Sequence, residues 1–233
     1  MSHSIKSVIF DIDNTLYDFG YSNNIALNAL REYSKKNFGW TPEQFDEKHL
    51  AVQNEIYNDI GYNGSCRDRM LRYQKMIEQS SLPLFPHAVK MYELYWSTLL
   101  ETLTPNEGYS EIMQVLKQHG IKIGICTDMT PYIQMLKLEK MKILQYIDFI
   151  VTSEEAGLEK PSPVIFKMCL KKSGFSASEC LFVGDDLKKD YHGALSSGMH
   201  ALWYNNSNKK TDDKSVIEIH SLNDIWQKIL ELD

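Results

Sequence analysis

Apolar residues along the chain fall into five short, unbroken runs, at 7–10, 121–126, 146–151, 180–183 and 199–204. None alternates with polar residues, and β-branched or aromatic side chains recur in each. That is the pattern of strands covered on both faces. Between the last four runs the apolar spacing becomes helical. The stretch 110–119 ends at Gly120, a suitable C′ glycine. Thr130-Pro131 and Ser162-Pro163 each read as an N-cap followed by proline at the first helical position, and Gly174 closes the second of these helices. Strand–helix–strand alternation predicts an α/β domain built on a parallel sheet with helices on both faces.

Residues 17–102 read differently. A helix over 24–38 stops at Gly39, and Thr41-Pro42 starts another. Tyr62-Asn63-Gly64 is a turn, and 67–79 is helical again. The stretch 86–103 places Val89, Tyr92, Leu94, Tyr95 and Leu99 at helical spacing. The pattern predicts an all-helical insert at 17–102 and an α/β domain formed by 1–16 and 103–233. Residues 205–214 read as a polar loop, and Ser221 as the cap of a last helix.

Composition narrows the function classes. The 233 residues carry a formal net charge of -6, with 43% hydrophobic and 24% charged residues. That balance is ordinary for a globular protein and argues against a nucleic-acid backbone as partner. No apolar run approaches the roughly 20 residues that span a bilayer, and no signal-peptide pattern opens the chain, so a cytoplasmic protein with no membrane partner is expected. Cys66, Cys126, Cys169 and Cys180 are not closely paired, and three sit in apolar runs. They read as reduced, buried side chains. The seven histidines show no metal-ligand spacing.

In open parallel sheets, ligands bind beyond the carboxyl ends of the strands. The polar residues that follow the runs are therefore informative. Asp11 and Asp13 follow the first, and Thr127 and Asp128 follow the second. Glu154, Glu155 and Lys160 come after the third, and Asp185, Asp186 and Asp190 after the fourth. Any one of these is an ordinary loop residue. Together they gather carboxylates, a hydroxyl and an ammonium at one end of one sheet.

The segments DIDNT, ICT, EKP and VGDDLKKD, in that order, resemble the four signature motifs of the haloacid dehalogenase superfamily. The resemblance covers about two-thirds of the chain. It implies a Rossmann-like sheet of order 5-4-1-2-3 and Mg²⁺ as cofactor. It implies Asp11 as nucleophile, Asp13 as general acid/base, Thr127 as phosphate ligand and Lys160 as the motif lysine. Asp11, Asp185 and the backbone carbonyl of Asp13 would hold the metal. Asp128 and Lys160 would join Thr127 at the substrate phosphate, with Asp186 and Asp190 supporting. Dehalogenases of this superfamily lack an aspartate two residues after the nucleophile, so Asp13 favours phosphate chemistry over carbon–halogen cleavage.

The helical insert resembles the C1 cap of the same superfamily, and the whole is similar in pattern to 5′-nucleotidases and acyl-sugar phosphatases. The expected activity is a phosphomonoesterase acting through an aspartyl-phosphate on a nucleoside monophosphate or sugar phosphate. A phosphomutase shares every core motif. A receiver-type signalling module also combines acidic residues, Thr and Lys, but it is shorter and has no helical insert. A monomer or homodimer is expected.

Overall fold

The computed structural model describes residues 4–232. They form two compact units: one runs to Asp18 and resumes at Pro105, and the other is Phe19–Thr104. The first unit begins with strand β1 (Ser7–Phe10), buried at all four positions.

The Phe19–Thr104 unit consists of α1 (Phe19–Phe38), α2 (Pro42–Ile60), α3 (Arg69–Gln79) and α4 (Leu84–Glu101), with a 3₁₀ turn at Gly64–Arg67 before α3. The Thr41-Pro42 signal works as expected. The Thr41 side chain accepts the Gln44 N–H at 3.3 Å, and the Gln44 side chain accepts the Thr41 N–H at 2.9 Å. This capping box satisfies two donors at the start of α2. The helix α4 packs against both α1 and α3. Leu30, Phe45, Ile56, Tyr73, Met91 and Leu99 are among the unit's buried side chains.

Two boundaries depart from the apolar spacing. The helix α1 begins at Phe19 rather than at residue 24. Its first turns are polar because their side chains find tertiary partners. Ser22 Oγ donates to the Thr102 carbonyl at 3.0 Å, and Asn23 Oδ1 accepts from the Tyr95 hydroxyl at 2.6 Å. The helix α4 starts at Leu84 but is broken at Phe85 (φ -97°, ψ 134°). The residue before a proline is pushed out of helical geometry.

The other unit carries a six-stranded sheet of order β3-β2-β1-β4-β5-β6. Its remaining strands are β2 (Lys122–Thr127), β3 (Phe149–Thr152), β4 (Cys180–Gly184), β5 (His200–Tyr204) and β6 (Glu218–Ile219). All pairings are parallel. The first five strands follow the order 5-4-1-2-3. The sixth, a two-residue strand on the far edge of β5, is too short to register as an apolar run. Covering helices are α5 (Tyr109–Gln118), α6 (Pro131–Lys140), α7 (Ser153–Ala156), α8 (Pro163–Ser173), α9 (Gly193–Ser196) and α10 (Asp224–Leu232). Ile9, Cys126, Phe166, Cys169, Phe182 and Trp203 belong to one buried cluster. All four cysteines are free and buried. No described helix is long and apolar enough to cross a membrane.

The strand expected at 146–151 begins only at Phe149, because Leu144–Tyr146 is a 3₁₀ turn. Pairing starts at Asp148, whose N–H donates to the Ile123 carbonyl at 2.8 Å while its carboxylate accepts the Ile123 N–H at 2.7 Å. Ser221 opens the turn into α10 as expected: its hydroxyl accepts the Asn223 N–H at 3.2 Å, and Asp224 Oδ2 accepts the Ser221 N–H at 3.2 Å, the reciprocal bonding of a helix cap.

Gly124 in β2 faces the Phe149 ring on β3 with no room for a methyl group. Gly124→Ala is expected to lower unfolding free energy by about 1–3 kcal/mol, the usual cost of overpacking. Urea denaturation measures it, and an unchanged midpoint would mean that the ring moves aside freely.

Candidate active site

Parallel strands deliver the ends of β1, β2 and β4 to one edge of the sheet. Asp11 directly follows β1, and its N–H donates to the Val183 carbonyl at 2.9 Å. The β1–β4 ladder therefore continues through Asp11 and fixes its backbone. The chain then turns sharply, with Asn14 in the left-handed region (φ 61°), which asparagine tolerates. Asp11 is 6% exposed, and Asp13 is half-buried.

Lys160 lies between two carboxylates. Its Nζ is 2.7 Å from Asp11 Oδ1 and 2.7 Å from Asp190 Oδ1. Its own backbone is anchored by Asp128, whose Oδ1 accepts the Lys160 N–H at 2.9 Å. Asp128 Oδ2 pairs with Lys189 at 2.9 Å, and Lys189 also reaches the buried Glu159 at 3.0 Å. The side chain of Asp128 is thus committed to holding the segment that carries Lys160.

Asp190 returns to the site through a wide helical turn, Leu187–His192. Such π-turns are frequent at functional sites. Asp186 builds it by accepting the N–H groups of Lys188 and Lys189 at 2.9 and 2.8 Å. Gly184 is required above the turn, because a Cβ there would collide with the Asp190 carboxylate. Asp185 follows β4, and its carbonyl accepts the Trp203 indole N–H at 2.8 Å. Its carboxylate lies 3.4 Å from Lys209 Nζ.

Asp13 has its own partners. Lys137 Nζ is 2.6 Å from its Oδ1, and the Tyr17 hydroxyl donates to the same oxygen at 2.7 Å. Lys137 belongs to α6, which opens just after β2. From the same helix Gln134 donates to Thr127 Oγ1 at 2.6 Å. That bond uses an acceptor position of the Thr127 hydroxyl and leaves its proton to be donated.

Charges at the site are set by burial and close neighbours. Burial pushes Asp11 up to about 7 despite Lys160, with the negative charges of Asp190 and Asp13 adding to the rise. Burial, then the charge of Asp11, pushes Asp185 up to about 6. Burial raises Asp190 even against Lys160. Burial would also raise Asp13, but Lys137, Tyr17 and Gln134 outweigh it and hold the carboxyl below its usual range. Burial opposes the ammonium of Lys160, but Asp11, Asp190 and Asp128 keep it firmly protonated.

Ligand oxygens of Asp11, Asp185 and Asp190 all lie within 4.8 Å of one another. Lys160, with the more exposed and more distant Lys209, leaves three carboxylates short of positive charge, so the cluster fits a further cation. Both Asp190 oxygens are already engaged, Oδ1 by Lys160 and Oδ2 by the Asp186 N–H at 3.0 Å. Asp11 and Asp185 keep oxygens available. An all-oxygen, carboxylate donor set suits magnesium. Beside Asp185, a cleft of about 370 Å³ is lined by Asn14, Asp18, Asp185, Asn206, Ser207 and Lys209.

The structure therefore brings Asp11, Lys160, Asp185 and Asp190 into one cluster and links Asp13 and Thr127 through α6. Glu154 and Glu155 are exposed, and Glu155 pairs with Lys172 at 2.7 Å. Sequence reasoning missed Lys137, Gln134, Lys189 and Lys209. The first two left a signal: Gln134 and Lys137 interrupt the buried stripe of Ile133 and Leu138 on α6.

Residues 8–204 match the family model described as haloacid dehalogenase-like hydrolase. The chain is 32% identical over 212 residues to a ribulose-1,5-bisphosphate 5-phosphatase of Halopiger xanaduensis, covering 90% of this chain and 89% of that protein. It is 29% identical over 199 residues to a pyrimidine 5′-nucleotidase of Escherichia coli, covering 85% of each. Among solved structures, a 2-haloacid dehalogenase from Pseudomonas syringae superposes with a TM-score of 0.81 at 22% identity, over 97% of this chain and 98% of that one. This last likeness establishes the fold and leaves the reaction to the site residues.

In the metal-free folded protein Asp185 keeps its proton up to about pH 6, whereas in the unfolded chain it ionises near 3.8. The folded state then binds more protons, so this group's destabilising effect is absent below the unfolded value and grows as pH rises to about 6. With a chelator present, Asp185→Asn should raise unfolding free energy by about 1–3 kcal/mol at about pH 7.5 and change it little near pH 4. Urea denaturation at both pH values checks this. A variant less stable than wild type at the higher pH would contradict the reading.

Proposed function

The chain belongs to the haloacid dehalogenase-like hydrolases and is a phosphatase of small phosphorylated metabolites; from that premise we propose that Asp11 is the phosphoryl acceptor and Asp13 the proton carrier. The observation that carries this reading is Lys160 Nζ at 2.7 Å from both Asp11 and Asp190, with Asp13 two residues on and held separately by Lys137. The Lys160 ammonium favours the ionised form of Asp11 against the effect of burial and adds positive charge where a phosphate would sit.

The proposed reaction has two displacements. An Asp11 oxygen attacks phosphorus, the bond to the leaving oxygen breaks, and that oxygen takes a proton from Asp13. Water then gives a proton to the Asp13 carboxylate and attacks phosphorus. The Asp11–phosphorus bond breaks, and phosphate and the free carboxylate are restored. Lys137 and Tyr17 favour the ionised form of Asp13, which suits the base role in the second displacement. For the first, Asp13 must carry a proton; a substrate monoanion, titrating near about pH 6, can bring it, and the transfer is uphill because Lys137 and Tyr17 lower Asp13.

Thr127 donates its free hydroxyl proton to a phosphoryl oxygen, while Gln134 fixes the rotamer. Asp11, Asp185 and the Asp13 carbonyl would hold Mg²⁺. When bound, the ion would supply Lewis-acid charge that screens Asp11 from the phosphoryl oxygens. The polar cleft of Asn14, Asn206, Ser207 and Lys209 suits a hydroxylated leaving group, as in a sugar phosphate or nucleoside monophosphate.

Hydrolysis of 4-nitrophenyl phosphate should require magnesium and stop on chelation. Asp11→Asn should lower kcat by about a thousand-fold or more. Asp13→Asn should cost about 10²–10⁴-fold, more on alkyl than on aryl esters because a nitrophenolate leaves without a proton. Its magnesium affinity should persist, since the backbone oxygen remains. A wild-type rate in Asp11→Asn would remove the proposed nucleophile.

A further inference from the structure

The polar loop that follows β5 is built to bring a lysine back to the sheet edge. Asn205, 2% exposed, organises it. Its N–H donates to the Ile219 carbonyl at 2.8 Å, and its carbonyl accepts the His220 Nδ1–H at 2.9 Å. Its side chain then closes on the backbone of Lys209. Asn205 Oδ1 accepts the Lys209 N–H at 2.8 Å, and Nδ2 donates to the Lys209 carbonyl at 2.9 Å. The same Nδ2 reaches Glu218 Oε2 at 3.0 Å. Asn208 takes the left-handed conformation (φ 53°) that lets so short a loop turn back.

The backbone of Lys209 is therefore fixed, while its side chain is not. That side chain is 54% exposed, and its Nζ lies 3.4 Å from Asp185 Oδ2, a long contact. Lys160 is its opposite. The Lys160 side chain is 3% exposed, both its carboxylate contacts are 2.7 Å, and Asp128 clamps its backbone. Withdrawing Lys160 would strand two buried carboxylates. Withdrawing Lys209 costs little, because its ammonium is already half in water and exposed ion pairs are weak. The cluster thus has one permanent ammonium and one exchangeable ammonium, and the exchangeable one sits on Asp185.

Resting on the reading of Asp185 as a metal ligand, we propose that Lys209 is a tethered competitor for the divalent cation. Ammonium and metal ion take the Asp185 carboxylate in turn, and the loop sets the magnesium concentration at which they exchange. Magnesium demands carboxylate oxygens at about 2.0–2.1 Å in near-octahedral order. Whichever Asp185 oxygen the ion takes, an ammonium on the same carboxylate is repelled by its double charge. The displaced side chain has a place to go: Lys209 lines the cleft of about 370 Å³ together with Asn206 and Ser207, where water and polar groups solvate it. The Asn205 clamp on its backbone keeps the ammonium within reach, so the competitor acts at high local concentration. Metal binding is then weaker than the carboxylates alone would give.

Calorimetric titration of the full chain with magnesium chloride, at fixed pH and ionic strength, tests this. Lys209→Met is expected to bind magnesium about three- to ten-fold more tightly than the wild type. The magnesium-induced rise in melting temperature should be larger in the same variant, which also shows that it folds. Lys210 is exposed on the same loop. Lys210→Met removes an equal charge without touching the Asp185 contact, and its affinity should stay within about two-fold of wild type. Equal or weaker binding by Lys209→Met overturns the proposal, and so does equal tightening in Lys210→Met. A wild type that binds no magnesium overturns it together with the metal assignment. Hydrolysis of 4-nitrophenyl phosphate reports the phosphatase reading separately.

Discussion

The ion triad Asp11–Lys160–Asp190 is the constraint on which the rest of the sheet edge depends. Three ionisable groups taken out of water would be prohibitive singly. Here one ammonium sits 2.7 Å from each of two carboxylates. Removing one member of a buried ionic group typically costs about 3–5 kcal/mol, because the others are left uncompensated. Much of the surrounding structure holds that triad in place. Gly184 leaves the room Asp190 needs, Asp186 shapes the turn that returns it, and Asp128 clamps the Lys160 backbone. Lys189 and Glu159 extend the clamp, so the motif lysine is supported by a second ionic layer.

The triad is left short of positive charge, and that shortfall links stability to function. Asp11 is driven upward by burial and by the charges of Asp190 and Asp13, and Asp185 by burial and the charge of Asp11, while Asp13 is driven down by Lys137 and its hydrogen bonds. Two carboxyls two residues apart therefore have opposite environments. Such separation lets one group serve as a nucleophile beside a cation and the other as a proton carrier. The same fold in a haloacid dehalogenase shows that the sheet alone does not choose the reaction.

Most of the sheet was legible because its central strands are buried on both faces and read as continuous apolar runs. The two-residue β6 was not, since it pairs through Trp203 and Tyr204 rather than through any pattern of its own. The start of α1 was hidden for a different reason: Ser22 is buried and Asn23 half-buried through hydrogen bonds, which apolar spacing cannot register. At the candidate site, the strand-end residues Asp11, Thr127 and Asp185 were readable from topology. Lys137 and Gln134 lie on a helix flank, where polar residues normally face water. Their place between Ile133 and Leu138 in the apolar stripe was the one sequence sign that they turn inward, and the packing shows that they do.

The central claim is that Lys160 holds Asp11 ready to accept a phosphoryl group. The direct measurement is rapid acid quench of the wild-type and Lys160→Met proteins during turnover of a good aryl ester, followed by mass spectrometric location of the phosphate. The account predicts phosphate covalently on Asp11 in the wild type and its disappearance in Lys160→Met. Phosphate trapped on another side chain, or equal labelling of Asp11 in both proteins, would contradict it.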